Sequence, residues 1–160
     1  MPDYEADQKH LTAAQGYADL GMWLDAHEEL EEIDAEVRIA PPVVEVRLKI
    51  YRGLEKWELM QTAAQMLSLN DPQNPQWSIS WAFAARRAES LEAAKRILLE
   101  AVEQHLNCAL MHYNLACYDS VLGELEVAKA RLQHALKLDP QMRMMALDDD
   151  DLEPLWNALQ

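Results

Sequence analysis

The sequence predicts an all-α solenoid of about eight helices closed by a short C-terminal cap. Three observations carry that expectation. Half of the 160 residues are apolar while only four are glycine, which allows a core but leaves little punctuation for a turn-rich β architecture. A set of small and apolar positions recurs every 34 residues. Within each period the apolar residues keep helical spacing, and prolines stand where helices should start or stop.

The period is plainest between Ala109 and Met142 and can be followed backwards through the chain. Ala128 steps to Ala94, Met60 and Ala26, and Ala116 to Ala82, Leu48 and Ala14. Leu125 steps to Leu91, Trp57 and Trp23, and Leu132 to Leu98, Ala64 and Leu30. Gly123 steps to Glu89, Glu55 and Gly21, and Pro140 to Leu106, Pro72 and Arg38. Four windows therefore fit without insertion, at 7–40, 41–74, 75–108 and 109–142.

Each window reads as two amphipathic helices. Residues 1–6 are acidic and extend or precede the first helix. In window one Ala14 and Tyr17 mark the first helix, Gly21 the junction, and Trp23 and Ala26 the second helix. Window two opens on Pro41-Pro42, which a first helical turn tolerates, and closes at Pro72. Window three carries Ala82, Ala85, Ala94 and Ala101. In window four Leu110, Tyr113, Leu115, Ala116 and Tyr118 form one apolar face. Gly123 then breaks the helix in a left-handed conformation. Leu125, Ala128, Leu132, Ala135, Leu136 and Leu138 form the next face, and Pro140 ends it. The last window would leave that face uncovered, so residues 143–160 are expected to cap it over Leu125, Leu132 and Leu136. The run Asp148–Asp151 reads as an N-cap followed by Pro154 in a first turn.

The chain resembles a tetratricopeptide repeat protein of bacterial type. Leu115, Ala116, Gly123, Ala128, Ala135 and Pro140 fall on that family's motif positions, and window two departs from them at Arg47 and Met60. The resemblance implies a right-handed α–α superhelix, a single domain over 1–160, in which the first helix of each repeat lines a concave groove. It places Lys49, Arg52, Ile79, Phe83, Arg86, Arg87, Tyr113 and Asn114 on the groove face. These residues are the expected peptide-binding site: four bases, with apolar groups beside them.

Charge and composition bound the function. There are 28 acidic and 14 basic residues, a net charge of −14. Nonspecific binding to nucleic acid or to an anionic membrane needs surplus base, so neither partner is expected. The acids gather at the two ends, and a second candidate surface is the run Glu28, Glu29, Glu31 and Glu32. Cys108 and Cys117 make no disulfide framework, and the N-terminal residues have no signal-peptide character. A cytoplasmic address follows as the expectation.

Catalytic signatures are missing from the sequence. It has no glycine-rich phosphate loop and no Gly-x-Ser-x-Gly elbow. His105, Cys108 and His112 make three ligand types without an evident fourth, which is poor zinc spacing. No enzyme, cofactor or metal is expected. The function expected is that of a scaffold or adaptor that takes a protein or peptide partner with acidic groups. A secretion-type chaperone holding a client protein is the alternative.

Overall fold

The computed structural model describes residues 3–160. They form helices joined by short turns, with no strand among the described residues, so the fold is all-α as the sequence predicts. Residues up to Pro72 make one compact unit and Gln73–Gln160 a second.

The first unit holds α1 (Tyr4–Asp19), α2 (Trp23–Glu32), α3 (Pro41–Gly53) and α4 (Trp57–Asn70). Asp3 caps α1 by accepting from the Ala6 N–H at 3.2 Å. Residues 1–2 of the expected acidic extension lie outside the described residues, and Tyr4 already belongs to the helix. Ala14 and Ala26 are fully buried where α1 packs on α2. Around them Leu11, Leu30, Ile33, Val43, Val46 and Ile50 make the core of α1, α2 and α3.

Helix α2 stops at Glu32, and Ile33 turns extended while staying buried. Window one has Arg38 where windows two and four have proline. Its guanidinium folds back on the helix end: Nε donates to the Ile33 carbonyl at 2.6 Å, Nη2 to the Glu31 carbonyl, and Nη1 to the Glu31 carboxylate at 2.9 Å. Side-chain donors thus satisfy carbonyls that the finished helix leaves open. The Asp34 N–H is taken by the buried Asp7 carboxylate at 2.8 Å. Arg47, the departure in window two, donates from Nη2 to the other Glu31 oxygen at 3.0 Å. A residue that breaks the repeat pattern is therefore half of an ion pair between α3 and α2.

The junctions inside the helix pairs repeat with the sequence period, with one exception. Gly21, Glu55 and Gly123 are left-handed, at φ 73°, 55° and 82°. Glutamate at Glu55 bears a Cβ penalty that glycine escapes. Glu89, at the fourth such position, has φ −122°, and Ser90 opens the next helix by accepting from the Ala93 N–H at 3.1 Å. Gly53 answers a different need: a Cβ there would lie 2.2 Å from Cε2 of the Trp23 indole.

The second unit holds α5 (Pro75–Ala88), α6 (Leu91–Val102), α7 (Ala109–Val121) and α8 (Leu125–Leu138). A short α9 (Met142–Ala146), a 3-10 helix (Asp150–Leu155) and α10 (Trp156–Leu159) follow. Nearly every residue from Met111 to Ser120 is buried, so α7 is the central helix of this unit. Asp119 on α7 is fully buried between two bases. Lys95 of α6 lies 2.7 Å from one carboxylate oxygen, and Arg131 of α8 donates to the other at 2.8 Å.

Residues 143–160 pack differently from the expectation. Leu152, Leu155 and Leu159 enter the core with Leu132, but Leu125 keeps 39% of its surface exposed. The 3-10 helix lies chiefly against α7 rather than along α8. Trp156 fastens the segment by donating from Nε1 to the Ala146 carbonyl at 2.9 Å. Asp149 supplies the expected cap, accepting from the Asp151 N–H at 3.1 Å, but the turn is 3-10 and Pro154 sits near its end.

Two outcomes follow for stability. Glu55→Gly should stabilise the protein by about 1 kcal/mol and Gly21→Ala should destabilise it by a similar amount, read from urea midpoints. The hydrogen bond from Arg47, with the Arg47 and Arg38 charges, holds the Glu31 carboxyl below its ordinary value. Wild type should therefore be more stable than Glu31→Gln at neutral pH. That margin should vanish as pH falls from the ordinary glutamate range through the lowered one. A margin independent of pH in chemical denaturation would show that the pair does not contribute through charge.

Candidate functional site

Phe83, Arg86 and Arg87 stand at helical spacings of three and four, so α5 presents them from neighbouring turns. Arg87 is exposed. Its guanidinium carbon lies 3.6 Å from the centroid of the Phe83 ring, and Nη1 donates to the Phe83 carbonyl at 2.9 Å. Phe83 is half-buried beneath it. The pair is a cation held flat on an aromatic face, stiffened by a backbone contact.

Arg86 is committed elsewhere. Its two Nη atoms grip the Asp151 carboxylate at 2.5 and 3.0 Å, and its guanidinium carbon lies 5.7 Å from the Tyr118 ring centroid. The hydrogen bond with Asp151 raises the Arg86 pKa further, against the cost of burial. The adjacent acid is held too. Tyr113 donates its hydroxyl to Asp149 Oδ2 at 2.8 Å, and the Cys117 thiol lies 3.6 Å from the same oxygen. Burial first, then the neighbouring carboxylates, push the Tyr113 hydroxyl and the Cys117 thiol well up. Burial also pushes Tyr118 up, to about 12. All three stay protonated at neutral pH, so Cys117 is a hydrogen-bond donor and not a thiolate nucleophile.

Arg86 and Arg87 open on a cleft of about 640 Å³ that is also lined by Met144, Met145 and Asp148–Asp151. Met144 and Met145 are exposed on its wall. The acids of the closing segment therefore share one hollow with the bases of α5.

The eight residues expected to line a groove have different environments. Phe83, Arg86 and Arg87 converge at the cleft or its edge. Ile79 and Tyr113 are buried at 7% and 3% exposure, so they support the face from below and offer little surface to a ligand. Asn114 is half-buried on α7. Lys49 and Arg52 are exposed on α3 of the first unit, where Lys49 Nζ lies 3.4 Å from Asp19 Oδ1. Along the acidic run of α2, Glu29 meets His10 at 2.8 Å and Glu31 meets Arg38 and Arg47, so part of that charge is answered locally.

The sequence reads Asp148–Asp151 as a helix cap; the contacts of Asp149 and Asp151 with Arg86, Tyr113 and Cys117 leave only a faint trace there, a run of four aspartates in a chain that also carries an Arg86-Arg87 pair. Among the described residues, Cys117, Asp149 and Asp151 bring three possible metal-ligand atoms within 4.8 Å of one another. Arg86 and Tyr113 already occupy those carboxylates, and a guanidinium there opposes a second cation. In the triad singled out by spacing, His112 Nε2 instead faces the Leu106 carbonyl at 2.8 Å and the His112 ring stands edge-on to His134.

No protein-family model matches the chain, and no curated protein matches it in sequence. Its helical fold is similar to solved structures of MamA. One, MamA MSR-1, superposes with a TM-score of 0.71 at 20% identity, covering 82% of this chain and 76% of that one. Another, MamA AMB-1, gives 0.72 at 14% identity, covering 98% and 84%. At these identities the likeness establishes the α–α, tetratricopeptide-type fold. No helix among the described residues is long and apolar enough to cross a membrane.

Arg86→Met should cost about 1.5–3 kcal/mol in urea denaturation, because Asp151 would lose a charged partner in a half-buried site. A variant as stable as wild type would show that the Arg86–Asp151 pair does not hold the closing segment.

Proposed function

We propose that the chain is a non-enzymatic interaction module of four 34-residue tetratricopeptide-type repeats, at 7–40, 41–74, 75–108 and 109–142, closed by 143–160. It works in the cytoplasm as a scaffold or adaptor. Its partner is a protein segment with acidic groups, taken on the face of α5 and α7. The observation that carries this reading is the exposed Arg87 guanidinium stacked on Phe83 at the edge of an open cleft. A cation stiffened on an aromatic ring gives a carboxylate a fixed counter-charge with an apolar surface beside it. Asn114, half-buried on α7, offers a side-chain amide to a peptide backbone. Lys49 and Arg52 offer a separate basic pair on α3.

Two observations favour binding over catalysis. The buried thiol and phenol near the cleft are held protonated by their surroundings. His10 and His112 are engaged with a carboxylate and a backbone carbonyl. The unpaired state of both cysteines suits a reducing compartment.

The test takes a partner recovered by affinity capture and measures its affinity for variants by calorimetry. Arg87→Glu should weaken binding by about tenfold or more at low salt, and by less as salt screens the contact. Phe83→Ala should weaken binding at every salt concentration, because apolar contact is not screened. Neither change should shift the melting temperature by more than a few degrees. Wild-type affinity in both variants would remove this face as the binding site.

A further inference from the structure

The closing segment does more than cover an apolar face. Three donors, Arg86 from α5 and Tyr113 and Cys117 from α7, converge on the Asp149 and Asp151 carboxylates. Two of these donors are buried and one is a planar fork, which is how a protein reads a carboxylate. The acids they hold come from a segment outside the repeat pattern, reached only across a sequence separation of 65 residues for Arg86 and Asp151. The same arginine lines the open cleft, so the site has both an occupant and an entrance.

We propose that Asp149 and Asp151 are a built-in occupant of a carboxylate-reading site made by Arg86, Tyr113 and Cys117, and that an acidic peptide competes with them for it. This rests on the reading of the α5–α7 face as a partner site, and it adds the ligand chemistry and a means of control.

Leu152, Leu155 and Leu159 anchor the segment in the core through apolar contacts separate from those of the carboxylates. The two carboxylates can therefore be released locally while the rest of the segment stays packed. Four successive aspartates also crowd like charge, which weakens the contact relative to an isolated pair. Asp148 and Asp150, beside the gripped pair, add to that repulsion without contributing to the grip. An incoming acidic segment that brings its own apolar side chains to Met144 and Met145 would gain contacts the occupant lacks. The resident acids set a threshold below which weak anions are refused.

The experiment uses the full chain and a fluorescein-labelled tetra-aspartate peptide, with binding read by anisotropy. Asp149→Asn with Asp151→Asn should bind the peptide about tenfold tighter than wild type. Adding Arg86→Lys should remove most of that gain, because an ammonium cannot reproduce the two-pronged contact. A tetra-asparagine peptide should bind neither form. Hydrogen exchange on wild type keeps the test independent of the variants' folding: excess tetra-aspartate should speed exchange over 148–151 and leave α6 unchanged. Equal affinity of wild type and the double variant, or exchange unaffected by the peptide, would overturn the proposal. In that case a partner still lost with Arg87→Glu would leave the face as a binding site without a built-in occupant. A partner indifferent to Arg87→Glu would remove the face as well.

Discussion

The fold depends on how closely two helices can approach. Where a first and second helix pack, the chain places alanine on both: Ala14 with Ala26, Ala82 with Ala94, and Ala116 with Ala128, all fully buried. A methyl group at each position lets the backbones come near, and the larger residues beside them, such as Leu30, Leu98 and Leu132, fill the remaining space. A larger side chain at any of these points would overpack the contact. The second pair has Leu48 and Met60 at the same register, both buried, so its helices meet on flexible, bulkier groups. The period visible in the sequence is largely the record of this steric rule.

The rule also marks where sequence reasoning succeeds. Helix pairs, their junctions at Gly21 and Gly123, and the proline start at Pro41 are local features, and each leaves a local trace. Glu55 shows the limit of residue type as a signal, since it takes the left-handed turn without being glycine. Glu89 shows the limit of period as a signal, since it occupies the same register and turns differently. Ser90, which caps the following helix, accounts for the new start there.

Polar contacts were far less legible, because they pair residues that no period relates. Asp119 stands where earlier windows have Tyr17, Tyr51 and Ala85, an acid in an otherwise aromatic or small position. That mismatch was a visible sign of a buried charge, though its partners Lys95 and Arg131 lie on two other helices. Breaking such a group from one side leaves an uncompensated buried charge. The pairing of Arg86 with Asp151 left a fainter trace still. The resemblance to tetratricopeptide repeats implies a groove face for the α5 bases, but it says nothing of the tail's course over α7, since residues 143–160 carry no repeat to extrapolate.

The path of that tail has a consequence for synthesis. Helix α7 is buried on nearly all sides only when Leu152, Leu155 and Leu159 are in place. A ribosome extends a chain at about 5–20 residues per second, and domains tend to fold as units while they emerge. Residues up to Pro72 can assemble their helix pairs as soon as they are free. The second unit must wait, with one flank of its central helix open, until residue 159 has left the exit tunnel. Its exposure to aggregation is thus set by a vectorial delay, and the stretch from Asp148 to Asp151 brings a dense negative charge to that open flank just before it closes.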